Sequence, residues 1–470
     1  MLFSSVTFLF YFLPIVIAVY FLIPMKNGSP KYRNRFLLLA SFVFYAWGEP
    51  SYVALMLAQS LVGWASGLLI ERWRGKAAAK KTVAATVVII IGVLVFFKYT
   101  NFFISNINLI PGVNLGLLRL VMPIGISFYS FQILSYPFDL YRGKTQVQKN
   151  YLDFATYVTF FPQLIAGPIV RYSDIAEALS KREHSLAKFA QGVRRFVLGL
   201  GKKILIANVL GELVETLKNS NERTVLAVWL YAVAFALQIY FDFSGYSDMA
   251  IGLGKIFGFD FMENFNYPYI ADSITEFWRR WHISLSGWFR DYVYIPLGGN
   301  RVSVPRNVFN IFVVWLLTGF WHGADWNFIF WGLYFAILLI LEKFALKKPL
   351  KTLPVFLTHA YVLLTVLISW VFFDTANIGL AFSKIALMFG AGAQGIAGAD
   401  SLYYLRSFAL PLIIGAIGAT RFPALVSEKL GRKFKEIFGV LEPLAVGALL
   451  VAVTAYLVDG SFNPFIYFRF

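Results

Sequence analysis

Long apolar runs, broken only by short basic loops, limit this chain to very few architectures. Among them are residues 5–24, 52–70, 82–103, 225–240, 327–341, 354–373 and 441–458. About 20 apolar residues cross a bilayer as a helix. In lipid every backbone N–H and C=O must be satisfied internally, so only helices and closed barrels cross. Barrel strands alternate apolar and polar residues, whereas these runs are continuous. The expected fold class is therefore all-α, a polytopic transmembrane helical protein. Composition agrees, since 14% of the 470 residues are charged, where soluble domains carry about a quarter. No internal repeat is visible, and no hydrophilic stretch is long enough for a separate soluble domain. Residues 1–470 read as a single membrane-embedded domain with a tail at 459–470.

The formal net charge is +17. It sits in the short loops 26–35, 72–81, 142–149, 181–203, 343–351 and 421–435. That is the positive-inside pattern. It points to membrane lipid as the surrounding partner, with no nucleic acid. Alternation from either end places both termini outside the cytoplasm, and roughly eleven spanning helices fit. The first apolar run lacks a basic leader and a small-x-small cleavage site, so it reads as a retained helix. With no cysteine there is no disulfide or thiolate chemistry. Four histidines without a His-Glu-x-x-His pattern give no expected metal site.

Two segments fit poorly as simple spans. Residues 121–140 carry two prolines and several polar side chains. Residues 272–299 are amphipathic and charged, and read as a helix lying within the protein or re-entering from one side. Polar backbone at depth is tolerated where it is buried in protein or lines a wet cavity, so a central cavity is expected. On a continuous helix Trp278, Trp281, Leu285 and Trp288 share one face, and Arg279, His282 and Ser286 share the next.

A second histidine follows at the tip of an apolar hairpin. Residues 307–320 make a predominantly apolar stretch of fourteen residues, too few at 1.5 Å each to cross a core of about 30 Å. Trp321-His322-Gly323-Ala324-Asp325-Trp326-Asn327 follows, and 328–341 returns to the basic loop 343–351. Both flanks are basic, so the tip is expected to be recessed. A neutral imidazole accepts a hydroxyl or thiol proton near pH 7, which suits His322 to general base work. Asp325 stands three residues on, a candidate to orient it. A plain helix-capping or carbonyl-bonding role for His322 stays open at this point. His184 reads as solvated in a charged loop, and His359 as a packing or hydrogen-bonding residue.

These residues match a known family. Glu276-Phe277-Trp278-Arg279-Arg280-Trp281-His282-Ile283-Ser284-Leu285-Ser286, followed by Arg290-Asp291-Tyr292-Val293-Tyr294-Ile295-Pro296-Leu297-Gly298-Gly299-Asn300-Arg301, resembles the signature of membrane-bound O-acyltransferases. It is most similar to their bacterial alginate O-acetylation branch, with its peptidoglycan and cellulose relatives. Trp321-His322-Gly323 resembles the segment holding that family's invariant histidine. Phe161-Pro162-Gln163-Leu164-Ile165-Ala166-Gly167-Pro168 and Tyr240-Phe241-Asp242-Phe243-Ser244-Gly245-Tyr246 also look like this branch.

The resemblance implies a ring of roughly eleven tilted helices, with re-entrant or horizontal helices, around a central tunnel. His322 carries over as catalytic residue, and His282 as the second motif histidine, orienting the tunnel wall. It implies acetyl transfer across a bacterial cytoplasmic membrane for O-acetylation of a cell-surface polysaccharide. No tightly bound cofactor is implied. Acetyl-CoA is the expected cytosolic donor, and an extracytoplasmic SGNH-type acetyltransferase the expected partner. Arg280, Arg290 and Arg301 are candidates for donor phosphates, because arginine binds phosphate through paired hydrogen bonds. A purely topological role is open for each. The ending Phe465-Ile466-Tyr467-Phe468-Arg469-Phe470 resembles the Phe-x-Tyr-x-x-Phe ending of related acyl-export systems, which implies Tyr467 as an acyl carrier. An interfacial aromatic anchor is the alternative. Two other functions stay open here: D-alanyl transfer to teichoic acid, and a transporter or flippase with no bond-making step.

Overall fold

The computed structural model describes residues 1–25, 28–459, 463 and 466. The described residues are helical throughout, apart from loops and one isolated bridge between Thr224 and Gly395. They form two compact units, one of Met1–Phe196 with Met249–Met262, the other of Val197–Asp248 with Glu263–Phe470.

In the first unit, Val53–Arg72 (α1) and Ala77–Ile107 (α2) pack on each other and on Ile126–Tyr141 (α3). All of α3 except Phe138 and Tyr141 is buried. This explains why the segment fits poorly as a span: its polar side chains meet protein and not lipid. Gln132 donates to the Gln163 carbonyl at 3.2 Å, and the Ser135 hydroxyl to the Gln132 carbonyl at 2.7 Å. A Cβ on Gly63 of α1 would stand 2.5 Å from the Ile133 side chain, so a small residue is what lets the helices close.

His184 is not simply solvated. It is half-buried in the first unit, with Nε2 3.1 Å from the Tyr20 hydroxyl. That hydroxyl spends its proton on the Phe257 carbonyl at 3.0 Å, so His184 Nε2–H is the donor. Burial, reinforced by the charges of Arg33, Arg182 and Lys188, lowers the imidazole pKa to about 4.

The second unit holds the part of Val225–Ile256 (α4) up to Asp248, followed by the segment expected to be one amphipathic helix. That segment is broken. Ile274–Arg280 (α5) and Ile283–Phe289 (α6) are separated at His282, whose φ of 44° and ψ of 56° are left-handed. A π-helical turn, Arg290–Tyr294, follows. Next come Val304–His322 (α7) and Trp326–Leu341 (α8), packed as a hairpin, then Val355–Asp374 (α9) and Lys435–Val458 (α10). The hairpin is closed by paired glycines: a Cβ on Gly332 would lie 3.1 Å from Gly319 Cα.

By length and composition six helices can cross a membrane: Pro50–Arg72, Ala77–Ile107, Val225–Ile256, Trp326–Thr352, Val355–Asp374 and Lys435–Val458. The pair Ala399–Ser407 and Ala409–Gly418, bent by 58°, makes a seventh if it is one span. The protein is thus a multi-pass, all-α membrane protein with fewer full-length apolar helices than the roughly eleven expected. Other apolar runs form shorter helices such as Phe8–Leu22 and Ile378–Met388, or buried ones such as α3. Helix α7 also differs from expectation. It has 19 residues, about 28 Å at 1.5 Å each, so His322 is recessed by its surroundings and not by a short helix.

Candidate active site

A cavity of about 900 Å³ opens within the second unit. One face of α7 forms a wall, through Ile311, Trp315, Thr318 and His322. Their 4-3-4 spacing keeps them on one stripe, about 16 Å long over eleven residues. Trp278, Trp281 and Leu285 add an apolar wall from α5 to α6. Breaking the helix at His282 does not scatter the predicted polar stripe, because Arg279, His282 and Ser286 all line the cavity. Trp288 leaves its predicted stripe and packs on Phe289 and Tyr292 instead.

The N-terminal end of α7 is basic. Lys343 donates to the Asn307 side chain at 2.6 Å, which fixes it beside the start of α7, and also to Asn300. Lys347 and Lys351 border the cavity too, both exposed and in no ion pair among the described residues. Glu342, beside them, is buried and committed elsewhere. Its carboxylate accepts the Ile274 and Thr275 N–H groups at 2.5 and 2.9 Å and the Thr275 hydroxyl at 2.7 Å. It thereby satisfies the orphan donors at the start of α5 and complements that helix's positive end.

The three arginines proposed for phosphate separate. Arg290 borders the cavity, paired with Asp291 at 2.8 Å yet largely exposed. Arg280 faces a smaller hollow of about 450 Å³ and is held by Glu276 at 2.8 Å. Arg301 is exposed and lines neither space. The lysines were read only as topology signals. Their spacing at 343, 347 and 351, four residues apart, was the signal that they share a helix face.

His322 ends α7 and is 3% exposed. Its ring lies 5.0 Å from that of Trp331 and 5.3 Å from that of Phe373, edge to face in both cases. The chain leaves the helix at Gly323, where a side chain would collide with the Phe328 ring. Asp325 does not orient His322. It is exposed, and its carboxylate caps α8 by accepting the Trp326 N–H at 2.6 Å. His359, as expected, is a bonding residue, donating from Nδ1 to the Ala271 carbonyl at 2.8 Å.

His282 is 1% exposed, and its tautomer follows from its neighbours. Asn264 Oδ1 accepts from the Ser284 backbone N–H at 3.2 Å, a donor that cannot reverse. That atom is therefore the amide oxygen, and His282 Nδ1, 3.1 Å away, must carry the proton. Nε2 is left as a lone pair with no hydrogen-bond partner among the described residues. Asn264, eighteen positions away in sequence, is another site residue that sequence reasoning missed; the loop that returns it leaves no periodic signal. Replacing Asn264 by Ala strands two buried N–H groups and frees the tautomer. A loss of about 1.4 kcal/mol in orientation is tenfold in rate, so acyl transfer at about one tenth of normal, with a lowered midpoint of thermal unfolding, is expected for that variant.

The pattern of the membrane-bound O-acyltransferase family matches residues 126–383. A probable alginate O-acetylase of Azotobacter vinelandii is 39% identical over the full length of both chains. Another, from Pseudomonas aeruginosa, is 43% identical over 83% of this chain and 75% of its own. The peptidoglycan O-acetyltransferase of Helicobacter pylori is 34% identical over 83% of this chain and 80% of its own. With the family pattern over more than half of its length, a membrane fold and a cavity carrying the motif histidines, the chain belongs to the membrane-bound O-acyltransferase family and is an O-acyltransferase.

Proposed function

We propose that this protein takes an acetyl group from a cytosolic thioester, acetyl-CoA being the expected donor, and delivers it across the bacterial cytoplasmic membrane for O-acetylation of a cell-surface polysaccharide. The observation that carries this reading is the cavity joining a basic rim to His322 along one face of α7. The positive-inside rule puts the rim in the cytosol and both termini outside. Donor phosphates are held at Lys347, Lys351 and Arg290. The acyl end reaches His322 along the tryptophan wall. His322 takes the proton of the attacking hydroxyl, the hydroxyl oxygen bonds to the acyl carbon, and the thiolate departs with the proton returned by the imidazolium. The names of the relatives, alginate and peptidoglycan O-acetylating proteins, favour acetyl and a polysaccharide.

Tyr467 is the proposed first acceptor, passing its aryl ester to an extracytoplasmic SGNH-type partner. Tyr467 lies outside the described residues. Support comes from its neighbour: the Ile466 N–H donates to Asp242 at 2.9 Å, and the next residue along α4, Phe243, packs edge to face on His282 with ring centroids 4.7 Å apart.

The test is mass spectrometry of the C-terminal peptide from cells lacking the partner, together with base-labile acetate on surface polymers after deletion of this gene. An acetyl adduct on Tyr467 and loss of polymer acetate are expected. Released D-alanine in place of acetate would overturn the acetyl assignment. For the rim, Lys347→Ala with Lys351→Ala is expected to raise the donor KM with kcat unchanged, because exposed charge contacts contribute about 0.2–1 kcal/mol each to uniform binding. A fall in kcat at constant KM would remove the lysines from donor binding.

A further inference from the structure

We propose that Asp242, gripped by Lys203, is the seat that positions the C-terminal segment, with Asn208 as its second hold. Asp242 and Lys203 are 1% and 3% exposed at their side chains, and their ion pair is 2.7 Å long. Replacing such a pair by apolar residues is often neutral for stability, so a buried ion pair is better explained by what it positions. Asp242 has one oxygen on Lys203 and the other on the Ile466 N–H, 224 residues away in sequence. Three residues earlier, the Asn463 side-chain oxygen accepts from Asn208 at 3.1 Å. The Ile466 side chain packs against the aromatic and aliphatic cluster of the second unit.

Both holds come from one short element. Lys203 and Asn208 lie in a π-helical turn, Lys202–Asn208. Its i to i+5 bonding brings residues five apart onto one side of the helix, and π turns recur at functional sites. A regular α-helix would rotate the two side chains apart. The carboxylate grips backbone, so it fixes where the chain runs without reading the Ile466 side chain. This inference rests on the proposed role of Tyr467, because the gripped N–H belongs to the residue directly before it.

The experiment uses the full chain in membranes and the absence of native cysteine. Asn208→Cys with Asn463→Cys, treated with a short thiol-specific crosslinker, is expected to bridge in most molecules. Asp242→Asn with Lys203→Gln, which leaves no buried lysine without its carboxylate, is expected to reduce both bridging and acylation of Tyr467. The acylation loss should be about 10- to 100-fold, as a displacement near 1 Å produces. Adding the two cysteines and the bridge to that double variant should restore acylation of Tyr467, a rescue that a merely structural role would not give. Failure to bridge, or wild-type acylation in the double variant, overturns the seat. Absence of any acyl group on Tyr467 in the unaltered protein instead removes the relay, and bridging still decides whether the seat exists.

Discussion

His322→Ala should abolish acyl transfer, lowering the rate by about 10²- to 10⁴-fold, the usual contribution of a positioned general base. The fold should survive, because the rings of Trp331 and Phe373 meet His322 edge-on and the C-cap residue of its helix is Gly323. His322→Gln is the companion variant. It keeps much of the volume but supplies no proton acceptor of imidazole strength, so it should be equally inactive. The measurement is base-labile acetate on surface polymers, beside the amount of inserted protein and its midpoint of thermal unfolding. Normal acetylation in either variant, with His322 gone, would assign the proton to another group. His282 would then be the first suspect, since it lines the same cavity and its Nε2 has no hydrogen-bond partner among the described residues.

The second large effect is expected at a residue with no chemistry of its own. Gly332→Leu should remove most folded protein and all activity. A Cβ there meets the Trp315 carbonyl oxygen and lies 3.1 Å from Gly319 Cα. Both neighbours are backbone, so no side chain can swing away and the helices of the hairpin must part. Overpacking costs about 1–3 kcal/mol even where a core can adjust, and membrane helices rely on small residues for close approach. Parting α7 from α8 displaces the stripe from Ile311 to His322 that walls the cavity. Gly92→Leu is the control, since nothing lies within 4 Å of a Cβ on Gly92. Size-exclusion chromatography in detergent should show a monodisperse peak for the control and aggregate for Gly332→Leu. A monodisperse, active Gly332→Leu protein would refute the close approach.

Much of this was legible in the sequence, for physical reasons that also explain the errors. Continuous apolar runs dictate membrane helices, because lipid offers the backbone no partner. They do not tell a lipid-facing helix from one walled in by protein. Within their most apolar stretches α4 is 78% buried and α10 only 6%, yet both read alike. Apolar length misjudged α7 in the other direction. Its first residues, Val304, Pro305 and Arg306, precede the apolar stretch 307–320 and so were not counted in the helix. Asn307 and Asn310 tie that end of the helix to the preceding turn, donating to the carbonyls of Gly299 and Leu297 at 2.7 and 3.2 Å. At the site, Arg279, His282 and Ser286 were readable from spacing along one segment, and His322 from its place at the tip of the hairpin. Asn264 and Glu342 were not, since each acts on residues far away in the chain. Asp325 was misread because proximity in sequence is no guide to direction at a helix start.

The left-handed backbone at position 282 bears on how this enzyme can change over generations. Among residues with side chains, asparagine, aspartate and histidine are those that enter that region several-fold more readily than the rest, and glycine enters it freely. Lineages drifting at this codon are thus confined to a small alphabet: a change to lysine, glutamine or tyrosine must first distort the junction between two helices. Of the permitted types, asparagine alone retains a neutral, two-faced polar group, which makes it the most accessible evolutionary neighbour and the variant to recover first from a randomised library selected for polymer acetylation.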